Sequence, residues 1–446
     1  MQSRRASRAG ASKHADKITK PSVFVDTHAA ASNQEAKSLF AFKTDDDVRK
    51  VYLAGRGECR RRTPHLLTPF KLVSTFSSIM NNVVGIHIAS VVTHVKVSLN
   101  VELSHPSSFG LAEFNHRATE AVLGKKSSAI VENRVLGVQT VGFTGAVRLG
   151  AELLRHWYNG DAAWQGPVYL SSHYSLAGVF QAAGMPDVRQ YRYWDAGRRG
   201  VCVDGLLEDL ETAPERSVVV LSASAHPTGA ELSREHWALI ARLMMRRQLF
   251  PFMLLPVAGL CHGELERDAW PVQYCQSLGM ELLCAQSFSH CFGLYGEHVG
   301  HLLCVLRQSS VLLAVRSQTE RLINALWAQP PVGGARIVAT VLSNPAHRAE
   351  WQEGVWHMAA RCMLVRERLR EKLRLLGTPG CWDHLTQQTG PYCCTGLNVE
   401  QVEYLSKRKH VYVLPNGCLN VSAVNSCNLD YVTEALHEAL SAEPLS

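Results

Sequence analysis

Short apolar runs alternate with amphipathic helical segments through the middle of the chain, and this alternation constrains the fold more than any other feature. The runs, each bounded by turn-forming residues, are Val168–Leu170, Ser217–Leu221, Leu249–Leu255, Glu281–Ala285 and Val299–Leu306. Helical spacing of apolar residues is present in Gly110–Leu123, Gly145–Trp157, Ser233–Arg247 and Gln308–Leu326. Strands that alternate with helices in this way are typical of a mostly parallel sheet. The pattern therefore predicts a large α/β domain.

The character of the sequence changes after the Pro330–Gly334 break. Ala346–Leu376 is a long helical stretch rich in Arg, Glu and Leu, followed by a predicted strand at Val411–Leu414 and a closing helix at Asn428–Leu440. We therefore expect a smaller α+β domain at the C-terminus. The predicted organisation is a disordered basic tail over 1–21, an arm with part of the small domain over 22–82, the large domain over 83–335 and the rest of the small domain over 336–446.

Charge and hydropathy argue against nucleic-acid and membrane partners. The net charge is +7, but six basic residues and one acidic residue in the first twenty account for +5 of it, which leaves the body nearly neutral. The longest apolar candidate for a membrane span, Val83–Val97, is interrupted by two histidines and a lysine. The tail also fits a mitochondrial transit peptide, although Met1 and Ile18 are its only large apolar residues. We expect a cytoplasmic protein with a disordered tail; mitochondrial import is the alternative.

Thirteen cysteines are present without a CxxC pair, and the only tight pair is the adjacent Cys393–Cys394. Because we expect no signal peptide, reduced thiols in a cytosolic protein are the simplest interpretation. His290, His298 and His301 lie near one another in sequence, but no matching set of spaced ligands accompanies them. The sequence therefore predicts no metal site.

Glycine-rich segments provide weak signals on their own. Gly142–Ala146 opens a helix, and the exposed N–H groups and positive dipole end of a helix start can cradle a phosphate. Any glycine-rich helix start has the same appearance. Gly293–Gly300 has the spacing GxxGxxxG, which is not the GxGxxG of dinucleotide-binding folds, and His226–Gly229 reads equally well as a turn. The absence of a GxSxG motif gives no support to a hydrolase.

Several longer blocks, taken together, resemble the aspartate aminotransferase family. They are GLAEFN, VQTVGFTGAVRLGAELL, AHPTG, QSFSHCFGLYGEHVG and PPVGGARIVATVLSNPAHRAEW. The blocks occur in the family's order and extend from about Gly110 to the C-terminal helix, whereas Met80–Phe109 hardly matches. The chain is most similar to the cytosolic aspartate aminotransferase-like proteins.

This resemblance implies a fold, a cofactor and a reaction. The fold would be the α/β fold-type I pyridoxal-phosphate transferase, with a mostly parallel seven-stranded sheet in the large domain and a smaller α+β domain. The cofactor would be pyridoxal 5'-phosphate, and two chains would form a homodimer with shared active sites. The family reaction converts L-aspartate and 2-oxoglutarate to oxaloacetate and L-glutamate, so a small amino-acid or dicarboxylate ligand is expected.

The family's Schiff-base lysine lies in a serine-x-x-lysine stretch that matches Ser287–His290, so its position is His290. An imidazole cannot form the imine that holds the cofactor and then exchanges it with the substrate's amine. Between Lys126 and Lys372 the chain contains no lysine, so a substitute could come only from elsewhere in the chain or from the other subunit. The resemblance thus predicts a framework without its covalent chemistry.

Other site positions implied by the resemblance have also changed. Leu254 stands where an aspartate pairs with the pyridine nitrogen, and Val257 stands where a tyrosine contacts the phenolic oxygen. Cys418 and Asn324 replace the arginines that bind the two substrate carboxylates. An asparagine after His226 is deleted. The tyrosine that reaches across the dimer has no counterpart near Leu103–Phe109, and the tryptophan over the ring is lost around Tyr174.

The expected phosphate site is better kept. Thr144 and Ser287 match family hydroxyls, Gly145 keeps the helix start, and His298 replaces a phosphate-binding arginine. Phe143, however, replaces a small residue of the cradle. The alternative is that the two hydroxyls serve only as caps and turn formers.

Two classes of function remain open. One is an active pyridoxal-phosphate enzyme, either an aspartate transaminase or a relative with residual activity on an amino acid. The other is a pseudoenzyme, a homodimer that retains the fold without catalysis. Covalent chemistry, electron sink and carboxylate recognition depend on different residues, and all three sets have changed, which favours the second class.

Overall fold

A seven-stranded sheet forms the centre of the structure, a computed structural model that describes residues 107–158, 163–173 and 176–441. The strands are β1 (Val135–Val141), β2 (Val168–Ser171), β3 (Val188–Tyr191), β4 (Trp194–Asp195), β5 (Gly200–Val201), β6 (Val218–Ser222), β7 (Phe250–Leu255), β8 (Leu282–Ser287), β9 (Val299–Val305), β10 (Tyr392–Cys394) and β11 (Cys418–Asn420). The order in the large sheet is β1-β9-β8-β7-β6-β2-β3. β9 runs antiparallel to β1 and β8, and the other neighbouring pairs are parallel. The predicted mostly parallel α/β sheet is confirmed.

Helices cover both faces of this sheet. They are α1 (Ala112–Leu123), α2 (Ser128–Val131), α3 (Gly142–Trp157), α4 (Ala177–Ala182), α5 (Val203–Glu211), α6 (Arg234–Arg246), α7 (Leu265–Asp268), α8 (Trp270–Ser277), α9 (Leu312–Leu326), α10 (Gly333–Ser343), α11 (Pro345–Leu375), α12 (His384–Gln387), α13 (Val399–Tyr404) and α14 (Leu429–Ser441). Short turns of 3₁₀-helix lie at Ser309–Val311 and Val421–Ala423, and a π-helical turn lies at Leu405–Lys409. Of the described helices, none is long and apolar enough to cross a membrane.

The strands are buried on both faces, which explains why they read as continuous apolar runs. In β7, Met253 packs with α1, α6, α8 and α10 on one side of the sheet, and its neighbours Phe252 and Leu254 pack with α3, α4 and α9 on the other. Side chains that alternate between the faces of a strand produce this division. Two apolar layers therefore hold the sheet between its helices.

Local capping interactions set several helix starts. At α6, the Ser233 hydroxyl accepts the His236 N–H at 3.2 Å, and the His236 ring accepts the Ser233 N–H at 3.3 Å. At α11, the Asn344 side chain accepts the N–H groups of Ala346 and His347. These bonds satisfy backbone donors that have no partner within the helix.

The C-terminal part has its own apolar core. The second half of α11 packs with β10, β11 and α14, and Leu369, Leu419 and Leu436 are buried there. The predicted strand at Val411–Leu414 is wrong: only Val411 forms an isolated bridge, and the strands are β10 and β11. Val411 and Val413 are nevertheless buried, because an apolar run reports burial and does not identify a hydrogen-bonding neighbour.

Several predictions fall on residues outside the described ranges. The tail over 1–21, the arm over 22–82, nearly all of Met80–Phe109 and the region of Tyr174 belong to this group. The domain boundaries at 82/83 and 335/336 stay predictions.

Candidate functional site

The proposed phosphate end of the site is the start of α3. Gly142 has φ +68°, and its N–H donates to the carbonyl of His298 at 2.5 Å, which joins the helix start to the loop before β9. A Cβ on Gly300 would lie 2.1 Å from the Gly142 oxygen, so only glycine allows this close approach. Thr144 and His298 are both exposed, and the Phe143 side chain packs against the sheet-side core. The structure thus brings Thr144 and His298 to the same end of the helix.

Ser287 is the last residue of β8, and its hydroxyl accepts the N–H of Ser289 at 3.3 Å. Ser287 is buried and acts as a turn former, which is one of the two roles expected for it. His290 follows in the same turn, partly buried, and its ring lies edge-on to Tyr295 with centroids 5.3 Å apart. The side chain at the lysine position is therefore packed against an aromatic ring.

His226 and His290 are electrostatic neighbours. Burial lowers the pKa of His290 to about 4. Burial, followed by the charge of His290, lowers the pKa of His226 to about 3. The His226 ring also contacts Tyr392 of β10, with centroids 5.0 Å apart. Both imidazoles are accordingly neutral at pH 7, where neither carries a charge for an anionic ligand.

Leu254, next to the last residue of β7, and Val257, in the turn that follows, are buried apolar residues. Leu254 and His226 line a cavity of about 10 Å³, which is room for no more than one water molecule. Apolar packing occupies the place where the resemblance expects a carboxylate.

The two residues that the resemblance aligns with carboxylate-binding arginines lie in different environments. Cys418 is buried on β11, where it is the cross-strand partner of Cys394. Asn324 is exposed on α9. Sequence reasoning did not find the pairing of Cys394 with Cys418, although the adjacent Cys393–Cys394 was a visible signal. No group of three or more His, Cys, Asp or Glu side chains that could hold a metal ion occurs within the described ranges.

Comparisons with known proteins agree with this architecture. The family model "Aminotransferase class I and II" matches residues 101–436. Aspartate aminotransferase, cytoplasmic, from Gallus gallus is 48% identical over 338 residues, which cover 74% of this chain and 81% of that protein. The chain belongs to the aspartate aminotransferase family. Pyridoxal phosphate is the cofactor of this family.

Further aminotransferases match a similar share of the chain at lower identity. Aspartate aminotransferase, cytoplasmic, from Caenorhabditis elegans is 38% identical and covers 78% of this chain and 86% of its own length. A solved structure, the aromatic-amino-acid aminotransferase from Burkholderia pseudomallei covalently bound to pyridoxal phosphate, superposes with a TM-score of 0.77 at 27% identity. It covers 87% of this chain and 100% of its own. The fold-type I architecture of the aspartate aminotransferase family thus extends over most of the chain.

Proposed function

We propose that this member of the aspartate aminotransferase family is a catalytically impaired pseudo-transaminase. The proposal rests on His290, the residue that the resemblance aligns with the family's Schiff-base lysine. Transamination needs a primary amine that forms an imine with the cofactor and then releases it to the substrate. The partly buried, neutral imidazole of His290 offers no such amine.

The lysines of the described region support this proposal. Lys125 and Lys126 are exposed in the turn after α1. The three lysines beyond them are engaged at the surface: Lys372 pairs with Asp430, Lys407 with Glu403 and Lys409 with Glu438. Within residues 107–158, 163–173 and 176–441, each lysine therefore has a surface role, so a replacement for His290 would have to come from residues before 107 or from the partner subunit.

The cofactor does not fit these residues in the family's manner. Pyridoxal phosphate supplies an electron sink when a carboxylate keeps its pyridine nitrogen protonated. Leu254 provides no carboxylate, is 2% exposed and lies in the apolar core beside a cavity of about 10 Å³. These residues therefore do not support catalysis through the cofactor.

The residues expected to recognise a dicarboxylate substrate have also changed. A guanidinium binds a carboxylate through two parallel hydrogen bonds. Neither the buried thiol of Cys418 nor the amide of Asn324 can replace the positive charge and paired N–H donors of a guanidinium. A small amino-acid or dicarboxylate ligand would have to be held by other groups.

The alternative is a pyridoxal-phosphate enzyme with residual activity. Thr144 and His298 at the α3 helix start favour it, because N–H groups and hydroxyls there can still contact a phosphate. Gly145 is the third residue of this proposed phosphate site. The Ser287 hydroxyl already accepts a hydrogen bond from the Ser289 N–H. We further propose a homodimer located in the cytoplasm, with mitochondrial import as the alternative location.

An absorbance spectrum of the purified full-length protein with pyridoxal phosphate tests the proposal. We expect no internal-aldimine band and no cofactor adduct after borohydride reduction. We also expect no turnover of aspartate and 2-oxoglutarate. Turnover that co-purifies with the protein and disappears in Ser287→Ala or Asn324→Ala would overturn the proposal in favour of the active enzyme.

A further inference from the structure

Cys394 and Cys418 stand directly opposite each other on the antiparallel strands β10 and β11. Opposite residues of such strands have Cα atoms about 4.5–5.5 Å apart. That separation lies within the range of about 4.4–6.8 Å that a disulfide spans. The backbone therefore already holds the two cysteines at bonding distance.

The side chains of this pair are in contact. A side-chain hydrogen bond joins the sulfurs of Cys418 and Cys394. The protonated Cys394 thiol also donates to the carbonyl of Asn416 at 3.9 Å. Cys393, one residue earlier, pairs with Leu419, and its side chain points to the opposite face, into the apolar core of the C-terminal part. Of the two adjacent cysteines, Cys394 alone faces Cys418.

The surroundings of Cys394 stabilise a thiolate. The hydrogen bond from Cys418 is the largest cause that lowers the pKa of Cys394; the Gly396 N–H and the charge of Arg199 add to it against the effect of burial. Arg199 is held nearby because it donates to the Cys381 carbonyl at 3.0 Å and lies over the Trp382 ring at 4.9 Å. An adjacent guanidinium and hydrogen-bond donors are typical of a reactive cysteine.

Other buried cysteines behave differently. Burial raises the pKa of Cys275, Cys291 and Cys304 to about 12. Among the described cysteines with a shifted pKa, Cys394 is the one whose pKa is lowered. Since the thiolate is the nucleophile, oxidation should select this site over the other buried thiols.

We propose that Cys394 and Cys418 form a reversible disulfide when the protein is oxidised by a peroxide. The Cys394 thiolate attacks one peroxide oxygen, the O–O bond breaks, and the other oxygen leaves as water after taking up a proton. The Cys418 sulfur then attacks the sulfur of the resulting Cys394 sulfenic acid and forms the S–S bond. The S–O bond of the sulfenic acid breaks, and the hydroxyl leaves with the Cys418 proton as a second water. Two thiols are oxidised by two electrons, and one hydrogen peroxide is reduced to two water molecules.

The site selects a small oxidant. Each of the two cysteines is 1% exposed. A bulky disulfide such as oxidised glutathione would have to open the hairpin before it could react, whereas hydrogen peroxide is close to water in size. We therefore expect hydrogen peroxide to oxidise the pair at least ten times faster than oxidised glutathione at equal concentration.

Peptide mass spectrometry of the full-length protein tests the proposal. The folded protein is treated with hydrogen peroxide, its remaining thiols are alkylated in denaturant, and it is digested with trypsin. We expect a cross-link between the peptide with Cys393 and Cys394 and the peptide with Cys418, which dithiothreitol removes. The cross-link should persist in Cys393→Ser, the matched control from the same peptide, and disappear in Cys394→Ser.

Two further variants separate the chemistry from a folding defect. Cys418→Ser should leave a sulfenic acid on Cys394 that a dimedone reagent traps when it is added together with denaturant after the peroxide, whereas the unaltered protein treated in the same way should trap little. Arg199→Ala should slow disulfide formation several-fold, and Arg198→Ala, its exposed neighbour, should not. An absent cross-link in the folded protein, or one that survives in Cys394→Ser, would overturn the proposal.

Discussion

The imidazole of His290 lies edge-on to the ring of Tyr295, with ring centroids 5.3 Å apart. Aromatic pairs in this arrangement are favourable, so the residue at the lysine position takes part in packing. Burial keeps the imidazole neutral. The residue that the resemblance aligns with the catalytic lysine is thus part of the packing of this chain, and its substitution should affect stability as well as any chemistry.

His290→Lys should give weak Schiff-base capture of pyridoxal phosphate with little turnover. The new amine would lie in the turn after Ser287, but Leu254 still leaves the pyridine nitrogen without a carboxylate. Missing guanidinium groups would also leave the substrate misoriented, which can cost several kcal/mol of barrier. The measurement is a borohydride-trapped adduct together with a transaminase assay, and Ser289→Lys is the control. Turnover near the family's usual rate in His290→Lys alone would contradict the prediction.

The free energy of unfolding should fall as the pH drops from 6.5 toward 4. Burial lowers the folded-state pKa of His290 to about 4, so in this window the unfolded chain binds the proton more readily. Stability from the neutral imidazole is thus present above pH 6.5 and lost at lower pH, by roughly 1–2 kcal/mol between pH 7 and pH 5. Urea titrations of His290→Gln should show a shallower pH dependence. The exposed His357→Gln should match the unaltered protein; equal slopes in all three would refute the assignment.

Leu254→Asp, which restores the family's carboxylate, should destabilise the protein. Leu254 is 2% exposed and lies between Ser222 and Ala285 of neighbouring strands, so the new charge would be buried without a partner. A loss of roughly 3–5 kcal/mol is expected for an uncompensated buried charge. Leu254→Met, which conserves volume, should cost less than about 1.5 kcal/mol. Urea unfolding without cofactor measures both, and an unchanged Leu254→Asp would show that water reaches the site.

The full-length protein should sediment as a dimer at micromolar concentration. The blocks GLAEFN and PPVGGARI, framework segments of a family whose members are typically homodimers, are nearly intact, and Asn324 is exposed on the single chain. Sedimentation velocity should give twice the mass of one chain. A well-folded monomer at that concentration would contradict the prediction.

The sheet and the helices that cover it can be predicted from local sequence. Buried strands such as Leu249–Leu255 are continuous apolar runs, and apolar spacing marks α6 and α9, because burial on two faces or on one stripe leaves a local signal. The hypothesis that His290 replaces the family's lysine also comes from the sequence, since the alignment of a motif needs no coordinates; it stays a prediction.

Features that depend on partners distant in sequence become apparent only in the folded chain. The run Val411–Leu414 has the composition of a strand, but a strand requires a neighbour, and the backbone pairs β11 with β10 instead. The contact between Cys394 and Cys418, 24 residues apart, follows from that register. The neutral state of His290 and His226 likewise arises from burial by several elements, which local sequence does not encode.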